Sequence, residues 1–395
     1  MDGSRVDWTN LPPQLPPLIA YCLQTHLEHL RIRSVCSSWR SSIPPLQNSN
    51  APRFPTPLSQ GPSAVLCPTT VYLLRPDPNS NPNPSASSSS TSSSKGWLLK
   101  LEESSGKLRL LNPITSWRIG SLSEGVPVNA MDLNLLDFNM VELARSYVLR
   151  YINGSGSVFG INKVIKSPIF KDYCSIFIIY NGGKLGFAKT GDQKLTLIND
   201  QVSDYDDMIV YKGHPFVVDK WGQIFCISSS LELTPVSPPI GFGHRKNLIE
   251  CCGELYVVDR YSQEGGVGSV YNNHFLRHPL RRRRFYEAGQ PKVVDFRVYK
   301  LLEDGAEELG RRWVEVKSLG EQAFFLSIDC CFSVLATELE GCKGNCIYFT
   351  DSNDIGLALR ELIRPDGSVF SMEDRTIERL GSSRLYSKMF WPLPI

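Results

Sequence analysis

Two segments of the chain share a seven-residue pattern: a glycine, two variable residues, an aromatic residue and then Val-Val-Asp. They begin at Gly213 and Gly253, forty residues apart, and end at Asp219 and Asp259. Each is typical of a tight turn that enters a strand. Looser versions begin at Gly106, Gly183 and Gly344. A small β unit repeated every ~40 to 50 residues predicts the blades of a β-propeller rather than a helical solenoid.

The rest of this large C-terminal region also indicates β structure. Short alternating or apolar runs are bounded by Gly, Asn, Asp and Pro, and the main stretch of helical period covers residues 141–149. At the period above, roughly 300 residues would hold six or seven blades. The alternative is a pair of β-sandwiches, in which the forty-residue recurrence would be a coincidence.

Two insertions interrupt this region. Residues 76–95 read PDPNSNPNPSASSSSTSSSK, a composition that cannot bury enough apolar surface to offset its ordering entropy, and they are predicted to be disordered. Strand-like runs at 71–74 and 96–101 flank the segment, which favours an enlarged loop between strands over an interdomain linker. The second insertion, residues 262–291, is predicted to be a basic loop.

Composition limits the classes of partner. The 395 residues include 42 Lys and Arg against 40 Asp and Glu, so no global field favours nucleic acid or an anionic membrane. The longest apolar run, residues 176–180, is far shorter than the ~20 residues of a membrane-spanning helix, and no signal peptide is recognised. We therefore expect a soluble intracellular protein whose eleven cysteines are reduced.

The N-terminal forty residues form a separate unit that is too short for a self-sufficient core. Its apolar spacing predicts two or three short helices, with Pro16 tolerated in the opening turn of the first. Val35, Trp39 and Ile43 recur at i, i+4 and i+8, which predicts one buried apolar face. The unit packs on the rest of the chain or docks a partner, and the spacing leaves both outcomes open.

Two phrases in this unit resemble the F-box motif: W-x-x-L-P-x-x-L from Trp8 to Leu15, and LRIRSVCSSWR from Leu30 to Arg40. The resemblance covers residues 7–45. It implies binding to a Skp1-type adaptor, which joins a cullin scaffold and a RING subunit in a ubiquitin ligase. By that resemblance, the surface facing the adaptor is formed or supported by Leu11, Pro12, Leu15, Ile19, Leu23, Val35, Cys36, Trp39 and Arg40.

Further phrases resemble the F-box-associated domain of uncharacterised function in plant F-box proteins, often described as kelch-type. They are GWLLKL at Gly96, LLNPIT at Leu110, YKGHPFVVDKWGQI at Tyr211, LIECCGELYVVDR at Leu248 and GCKGNCIYFTDSND at Gly341. The expected fold is therefore α+β and multidomain: an F-box helical module at 7–45, a linker at 46–64 and a mainly β, propeller-like domain at 65–395.

Candidate catalytic and metal-binding residues have simpler structural explanations. Asp219, Asp259 and Asp351 end repeated strands and could serve acid-base or metal chemistry. A carboxylate that accepts turn N–H bonds in every blade explains the repetition better. Cys342 and Cys346 lack the second pair that a zinc site requires. We expect no catalytic residue, metal or cofactor.

The strongest local charge is the run of Arg281, Arg282, Arg283 and Arg284. Such a run is found in nuclear localisation signals and phosphate-binding patches, and also in solvated insertions between strands. It does not by itself favour specific nucleic-acid binding. We expect the protein in the nucleus, the cytoplasm or both.

These features lead to one functional hypothesis and two alternatives. The protein is expected to be the substrate-recognition subunit of an SCF-type (Skp1-cullin-F-box) ubiquitin ligase, with the F-box on the adaptor and the propeller on an unknown protein target. It could instead be an F-box scaffold in the nucleus that acts outside a ligase. An enzymatic propeller, a hydrolase or lyase, would require its aspartates to converge on one pocket.

Overall fold

Three short helices precede a set of strands that form five sheets in the computed structural model. The structure describes residues 11–23, 26–45, 52–57, 59–76, 95–104, 107–121, 138–152, 156–170, 172–199, 204–241, 243–263, 292–303, 311–350, 367–380 and 388–390. None of the described helices is long and apolar enough to cross a membrane.

The helices form a small N-terminal module: α1 (Leu15–Tyr21), α2 (His26–Ser34) and α3 (Ser37–Ser42). The two prolines of α1 occupy its first turn, where a missing N–H costs no helical hydrogen bond. The predicted common face of Val35, Trp39 and Ile43 is wrong. Cys36 caps α3 with its thiol, so the helix begins after Val35, and Val35 is exposed. Trp39 and Ile43 are buried inside the module.

The first sheet contains six strands and extends over residues 53–121 and 138–151. Its strands are β1 (Arg53–Thr56), β2 (Ser59–Pro76), β3 (Trp97–Ser104), β4 (Lys107–Leu111), β5 (Arg118–Ser121) and β6 (Phe138–Tyr151). β6 pairs with β2 along nearly its whole length. The helical period at 141–149 was therefore misleading, because strand pairing overrides local pattern. Sheet structure begins at Arg53, inside the predicted linker 46–64, and β2 and β3 flank the Ser/Pro-rich segment.

The second, third and fourth sheets are four-stranded antiparallel meanders. The second has β7 (Ile161–Lys166), β8 (Ser175–Tyr180), β9 (Lys184–Lys189) and β10 (Thr196–Ile198). The third has β11 (Tyr205–Tyr211), β12 (His214–Asp219), β13 (Ile224–Ile227) and β14 (Leu233–Pro235). The fourth has β15 (Arg245–Cys251), β16 (Glu254–Gln263), β17 (Lys292–Glu303) and β18 (Arg311–Val316).

The fifth sheet has the spatial order β20-β19-β21-β22-β23 and includes one parallel pair, β19 with β21. Its strands are β19 (Gln322–Leu326), β20 (Cys331–Leu335), β21 (Cys346–Thr350), β22 (Gly367–Ser371) and β23 (Ile377–Arg379). Backbone hydrogen bonds join segments that follow strands of the fifth sheet to the first sheet. The Gly96 N–H donates to Glu338 O at 2.7 Å, and the Leu98 N–H donates to Met389 O at 2.8 Å.

The five sheets close into a ring, so the fold is a five-bladed propeller. The inner strands β6, β7, β11, β15 and β20 contact one another in that order, and β20 returns to β6. A separate hydrophobic cluster fills each of the five interfaces between neighbouring blades. Our estimate of six or seven blades was too high, because the first blade takes up far more chain than the repeat period. The sandwich alternative is excluded by the ring.

The repeated Gly-x-x-aromatic-Val-Val-Asp phrase has a direct structural meaning. Its glycine ends a tight hairpin turn between the two innermost strands of a blade: Lys212 and Gly213 have φ values of 47° and 76°, and Cys252 and Gly253 have 52° and 76°. Two consecutive positive φ angles define the type I′ turn, which matches the twist of paired strands. The valines that follow point to opposite faces of the sheet and pack on the two neighbouring blades.

The helical module is anchored to the first blade through α2. Leu27 is 2% exposed and packs with Tyr72, Leu74 and Leu99. Its N–H donates to the Glu103 carboxylate at 3.1 Å. The neighbouring β2 side chains, which point the other way, pack on the fifth blade instead. The cluster around Leu27 otherwise contains only residues of the first blade, so the module covers a part of that blade on which no described residue of another blade packs in the cluster.

Replacing the anchor residue should loosen this attachment. We expect Leu27→Ala to lower the free energy that holds α2 on the propeller by about 2 to 4 kcal/mol, because it removes buried methyl groups and leaves a cavity. Hydrogen–deuterium exchange of the α2 amides measures this loss. The control is Leu30→Ala, at an exposed position in the same helix. It should change the free energy that holds α2 on the propeller by less than about 0.5 kcal/mol. Equal exchange in the two variants would contradict the anchor role.

Candidate functional sites on the helical module and in the channel

An apolar patch lies on the outside of the helical module. Leu15, Leu18 and Ile19 share one face of α1, with exposed fractions of 40%, 61% and 37%. Leu30 and Val35 add exposures of 43% and 51%. We call these five residues the helical patch. Five exposed large aliphatic side chains on so small a module are typical of a surface that another protein covers.

The residues predicted to face an adaptor divide between this patch and the core of the module. Leu15, Ile19 and Val35 are exposed, whereas Trp39 is buried with Ala20, Ile32 and Ile43. Of the others, Leu11, Leu23 and Cys36 pack on the edge of that core, whereas Pro12 and Arg40 are exposed. Leu18 and Leu30 also belong to the patch, although they were not among the residues predicted to face an adaptor. For Leu18, its helical spacing with Leu15 and Ile19 could have indicated this position.

A second candidate site is a cavity of about 1000 Å³ along the propeller channel. All five inner strands contribute to its lining, through Ser146, Lys163, Met208, Leu248 and Phe332 among others. The connection from β7 to β8 adds Phe170, Tyr173 and Cys174. The size is at the upper end of the range for small-ligand pockets. No repeated motif in the sequence pointed to these residues, because they come together only when the ring closes.

One buried carboxylate in this channel joins four blades. Asp207 on β11 pairs with the Lys163 ammonium of β7 at 2.8 Å and accepts the Leu248 N–H of β15 at 3.0 Å. The Cys331 thiol of β20 donates to it at 3.9 Å. Burial acts to lower the pKa of Lys163, but the charge and hydrogen bond of Asp207, together with the effects of Cys331 and Cys330, outweigh burial, and the pKa is raised. Burial also raises the pKa of the Cys331 thiol, which is therefore protonated at neutral pH.

A second buried carboxylate joins the fifth blade to the first. The Asp329 carboxylate contacts the Lys100 ammonium at 2.5 Å and accepts hydroxyl hydrogen bonds from Ser116 and Ser146 at 3.0 and 2.9 Å. Burial opposes ionisation, yet Lys100 and these donors hold the pKa of Asp329 well below its usual range. The ionised carboxylate thus bridges the last and first blades.

Comparison with known protein families adds the decisive observation. Residues 67–370 match the KIB1-4 β-propeller. The chain belongs to the KIB1-4 β-propeller family. This membership confirms the propeller that the forty-residue repeat predicted. The kelch-type description of the domain stays a prediction.

Relatives in Arabidopsis thaliana extend the KIB1-4 match to the N-terminal module. F-box protein SKIP23 is 32% identical, with 98% of this chain and 95% of that protein covered. F-box protein At4g35733 is 29% identical (94% and 95% covered), and probable F-box protein At1g65740 is 30% identical (98% and 99%). The resemblance to plant F-box proteins is confirmed, and these names support a substrate-adaptor role.

The aspartates of the repeated Gly-x-x-aromatic-Val-Val-Asp phrase are engaged in structural contacts. Asp219 accepts the N–H groups of Trp221 and Gln223, each at 2.9 Å, within the turn after its strand. Asp259 pairs with the buried Lys246 ammonium at 2.8 Å and accepts the Gly243 N–H at 3.2 Å. Asp351 lies outside the described residues. The enzymatic alternative therefore gains no support from Asp219 and Asp259.

The described cysteines are free thiols, and the described part of the chain contains no group of three His, Cys, Asp or Glu arranged for a metal. Burial raises the pKa of Cys342 to about 12 and that of Cys330 to about 11. Neither thiol is therefore ionised at neutral pH. Arg281 to Arg284 lie outside the described residues, so the nuclear signal stays a prediction.

Removing the Asp329 charge should destabilise the ring. We expect Asp329→Asn to lower the free energy of unfolding by about 3 to 5 kcal/mol at pH 7, because Lys100 is left charged and buried without its acidic partner, and the hydroxyls of Ser116 and Ser327 do not neutralise it. Urea denaturation measures the loss. The folded pKa is depressed, so the stabilisation is present above the unfolded value near 4 and disappears as the pH falls through the folded pKa. The difference in the free energy of unfolding between Asp329→Asn and wild type should therefore become smaller at acidic pH.

Asp172→Asn, at an exposed carboxylate, is the matched control for Asp329→Asn and should change stability by less than about 0.5 kcal/mol. A difference between Asp329→Asn and wild type below about 1 kcal/mol would contradict the bridging role, because breaking a buried pair costs more than that.

A third carboxylate has the opposite pH dependence. Burial raises the pKa of Asp206 to about 6, against the effects of Arg245 and of the Lys246 N–H that Asp206 accepts at 2.8 Å. The folded protein then binds this proton more tightly than the unfolded chain, so ionising Asp206 lowers stability as the pH rises from about 4 to 6.

Asp206→Asn should therefore gain stability relative to wild type across that pH window, by up to about 2 kcal/mol for a partly exposed group. Denaturation at pH 4 and pH 7 checks the sign. Asp204→Asn, at a 45% exposed carboxylate nearby, should show no such gain. A relative loss of stability with rising pH in Asp206→Asn would refute the assignment.

Proposed function

We propose that this KIB1-4 family protein is the substrate-recognition subunit of an SCF-type ubiquitin ligase. In this role the helical module binds a Skp1-type adaptor, and through it a cullin and a RING subunit, while the propeller binds a protein target. The observation that carries the proposal is the exposed helical patch on the N-terminal module of a chain whose relatives are named F-box proteins.

The energetics of the patch favour a protein partner. Full burial of one Leu, Ile or Val side chain contributes ~1.5 to 3 kcal/mol, and the patch offers five that are more than a third exposed. Trp39, Ile43 and Ala20 fill the interior of the module, so the patch side chains are not required for its core. An amphipathic helix face of this kind fits an apolar groove on a partner.

The proposed role is non-catalytic. A receptor that holds a target beside a charged ubiquitin-conjugating enzyme raises the local concentration of the target's lysines and performs no bond-making itself. The anchoring of α2 on the first blade supports this role, because it relates the adaptor-binding module to the propeller through a packed contact rather than a free linker.

Charged substitutions on the patch should abolish adaptor binding without unfolding the module. We expect Leu18→Asp and Val35→Asp each to weaken binding to a purified Skp1-type adaptor at least tenfold, which corresponds to about 1.4 kcal/mol. Calorimetry or a quantitative pull-down measures the change. Trp39 is a poor choice for this test, because its side chain lies in the module core.

The matched control is Ile152→Asp, which changes a comparably exposed apolar residue on the propeller. It should leave adaptor binding unchanged. Wild-type protein that fails to bind the adaptor, or patch variants that bind as tightly as the Ile152→Asp control, would overturn the ligase proposal.

A further inference from the structure

The charge of the helical module is one-sided. Between residues 11 and 45 the chain carries three arginines, Arg31, Arg33 and Arg40, against a single acidic residue, Glu28, although the whole chain is nearly balanced in charge. The Glu28 carboxylate contacts the propeller, since it lies 3.5 Å from the Arg145 guanidinium of β6. Among the described residues, no ion pair includes any of the three arginines. We call these three residues the basic cluster.

Backbone carbonyls hold two members of the basic cluster in place. Arg40 Nε donates to Arg33 O at 3.3 Å, and Arg33 Nη1 donates to Ile43 O. A guanidinium has five N–H donors, so both arginines keep donors for a further partner. A neutral carbonyl also leaves the positive charge of the guanidinium in place. Arg31 is exposed, and its side chain forms no hydrogen bond or ion pair with another described residue.

The basic cluster lies next to the part of the helical patch that follows from α2. Arg31 comes directly after Leu30, and Val35 lies two residues after Arg33, whose carbonyl also holds Arg40. The two patch residues are 43% and 51% exposed. The end of α2 therefore offers a partner both aliphatic side chains and guanidinium groups. Helix capping explains why cations lie near the last carbonyls, but it does not require the exposed Arg31 beside them.

We propose that the adaptor surface that binds the helical module combines an apolar groove with carboxylates at its edge, and that the basic cluster attracts those carboxylates. The proposal rests on the ligase role proposed above and specifies the chemistry of that partner. Complementary charges raise the association rate, because their field orients the two proteins before they touch. In the complex, the guanidinium groups form charge-assisted hydrogen bonds to the carboxylates.

An anionic membrane is the other surface that could bind aliphatic and basic side chains together, and the distribution of charge argues against it. A helix that lies in a membrane interface carries Lys and Arg on its own polar face. Residues 11–25, which include α1 with its patch residues Leu15, Leu18 and Ile19, contain no charged residue. The arginines belong to α2 and α3 instead. A protein surface that contacts several short helices fits this arrangement better.

The test measures the association and dissociation rates of the full chain with a purified Skp1-type adaptor at low and high salt. Between about 20 mM and about 300 mM NaCl the Debye length falls from roughly 20 Å to roughly 6 Å. Wild-type protein should associate about tenfold faster at the lower concentration, because salt screens the attraction between the basic cluster and the adaptor. Its dissociation rate should depend less on salt, since the buried apolar contacts persist.

The double variant Arg31→Glu, Arg40→Glu should associate about tenfold more slowly than wild type at low salt and lose most of the salt dependence. The variant Arg31→Lys, Arg40→Lys keeps both charges and should keep the fast association. The matched control is Arg53→Glu, Arg379→Glu, which reverses two exposed arginines of the propeller. It should slow association less than about twofold, because those charges are screened from the adaptor. If the first variant unfolds at a lower temperature, Arg31→Glu alone should still slow association about threefold.

Adaptor association that is insensitive to salt, or that both glutamate double variants slow equally, would overturn the proposal and leave the ligase role standing. Wild-type protein that binds no Skp1-type adaptor would overturn the ligase role and the proposal together, so the two failures are distinguishable. Co-sedimentation with vesicles of phosphatidylserine and phosphatidylcholine is measured on the same preparations. Vesicle binding by wild type that is lost in Arg31→Glu, Arg40→Glu would assign the basic cluster to a membrane and also overturn the proposal.

Discussion

The ring depends on two carboxylates that have been removed from water. Asp207 receives groups from the second, fourth and fifth blades while it belongs to the third, and Asp329 joins the fifth blade to the first. A buried charge is costly unless its partners are all in place. Here those partners are in place only when the blades are arranged in a closed ring, so a partly assembled propeller would leave these charges unpaired. The hydrophobic clusters between blades then supply the nonspecific part of the stability.

The helical module depends on the propeller for part of its core. Its few buried residues, Ala20, Ile32, Trp39 and Ile43, form a small cluster, and a unit of this size is marginal alone. Leu27 of α2, which packs against the first blade, gives the module a second buried contact. This arrangement satisfies both outcomes that the spacing left open, because α2 packs on the chain and the helical patch stays exposed for a partner. Under the proposed function, the adaptor and the target are held on one packed structure.

The two candidate sites differ in how they arise. The helical patch is a local feature, since residues close in sequence place their side chains on short adjacent helices. The channel cavity is non-local, with lining residues that come from all five blades. Lys163 illustrates the difference, because in the sequence it is one of many lysines and only the closed ring pairs it with Asp207 of another blade.

The sequence by itself determined the units from which the protein is built. The F-box spacing and the turn glycines Gly213 and Gly253 at the start of repeated strands are local patterns, so they are readable without coordinates. Tertiary structure decided the number of blades, the conversion of residues 141–149 from helical pattern to the strand β6, the inward position of Trp39 and the channel cavity. Each of these depends on contacts between residues far apart in the chain, and sequence periodicity carries no information about which distant strands will pair or which side chains will share a buried space.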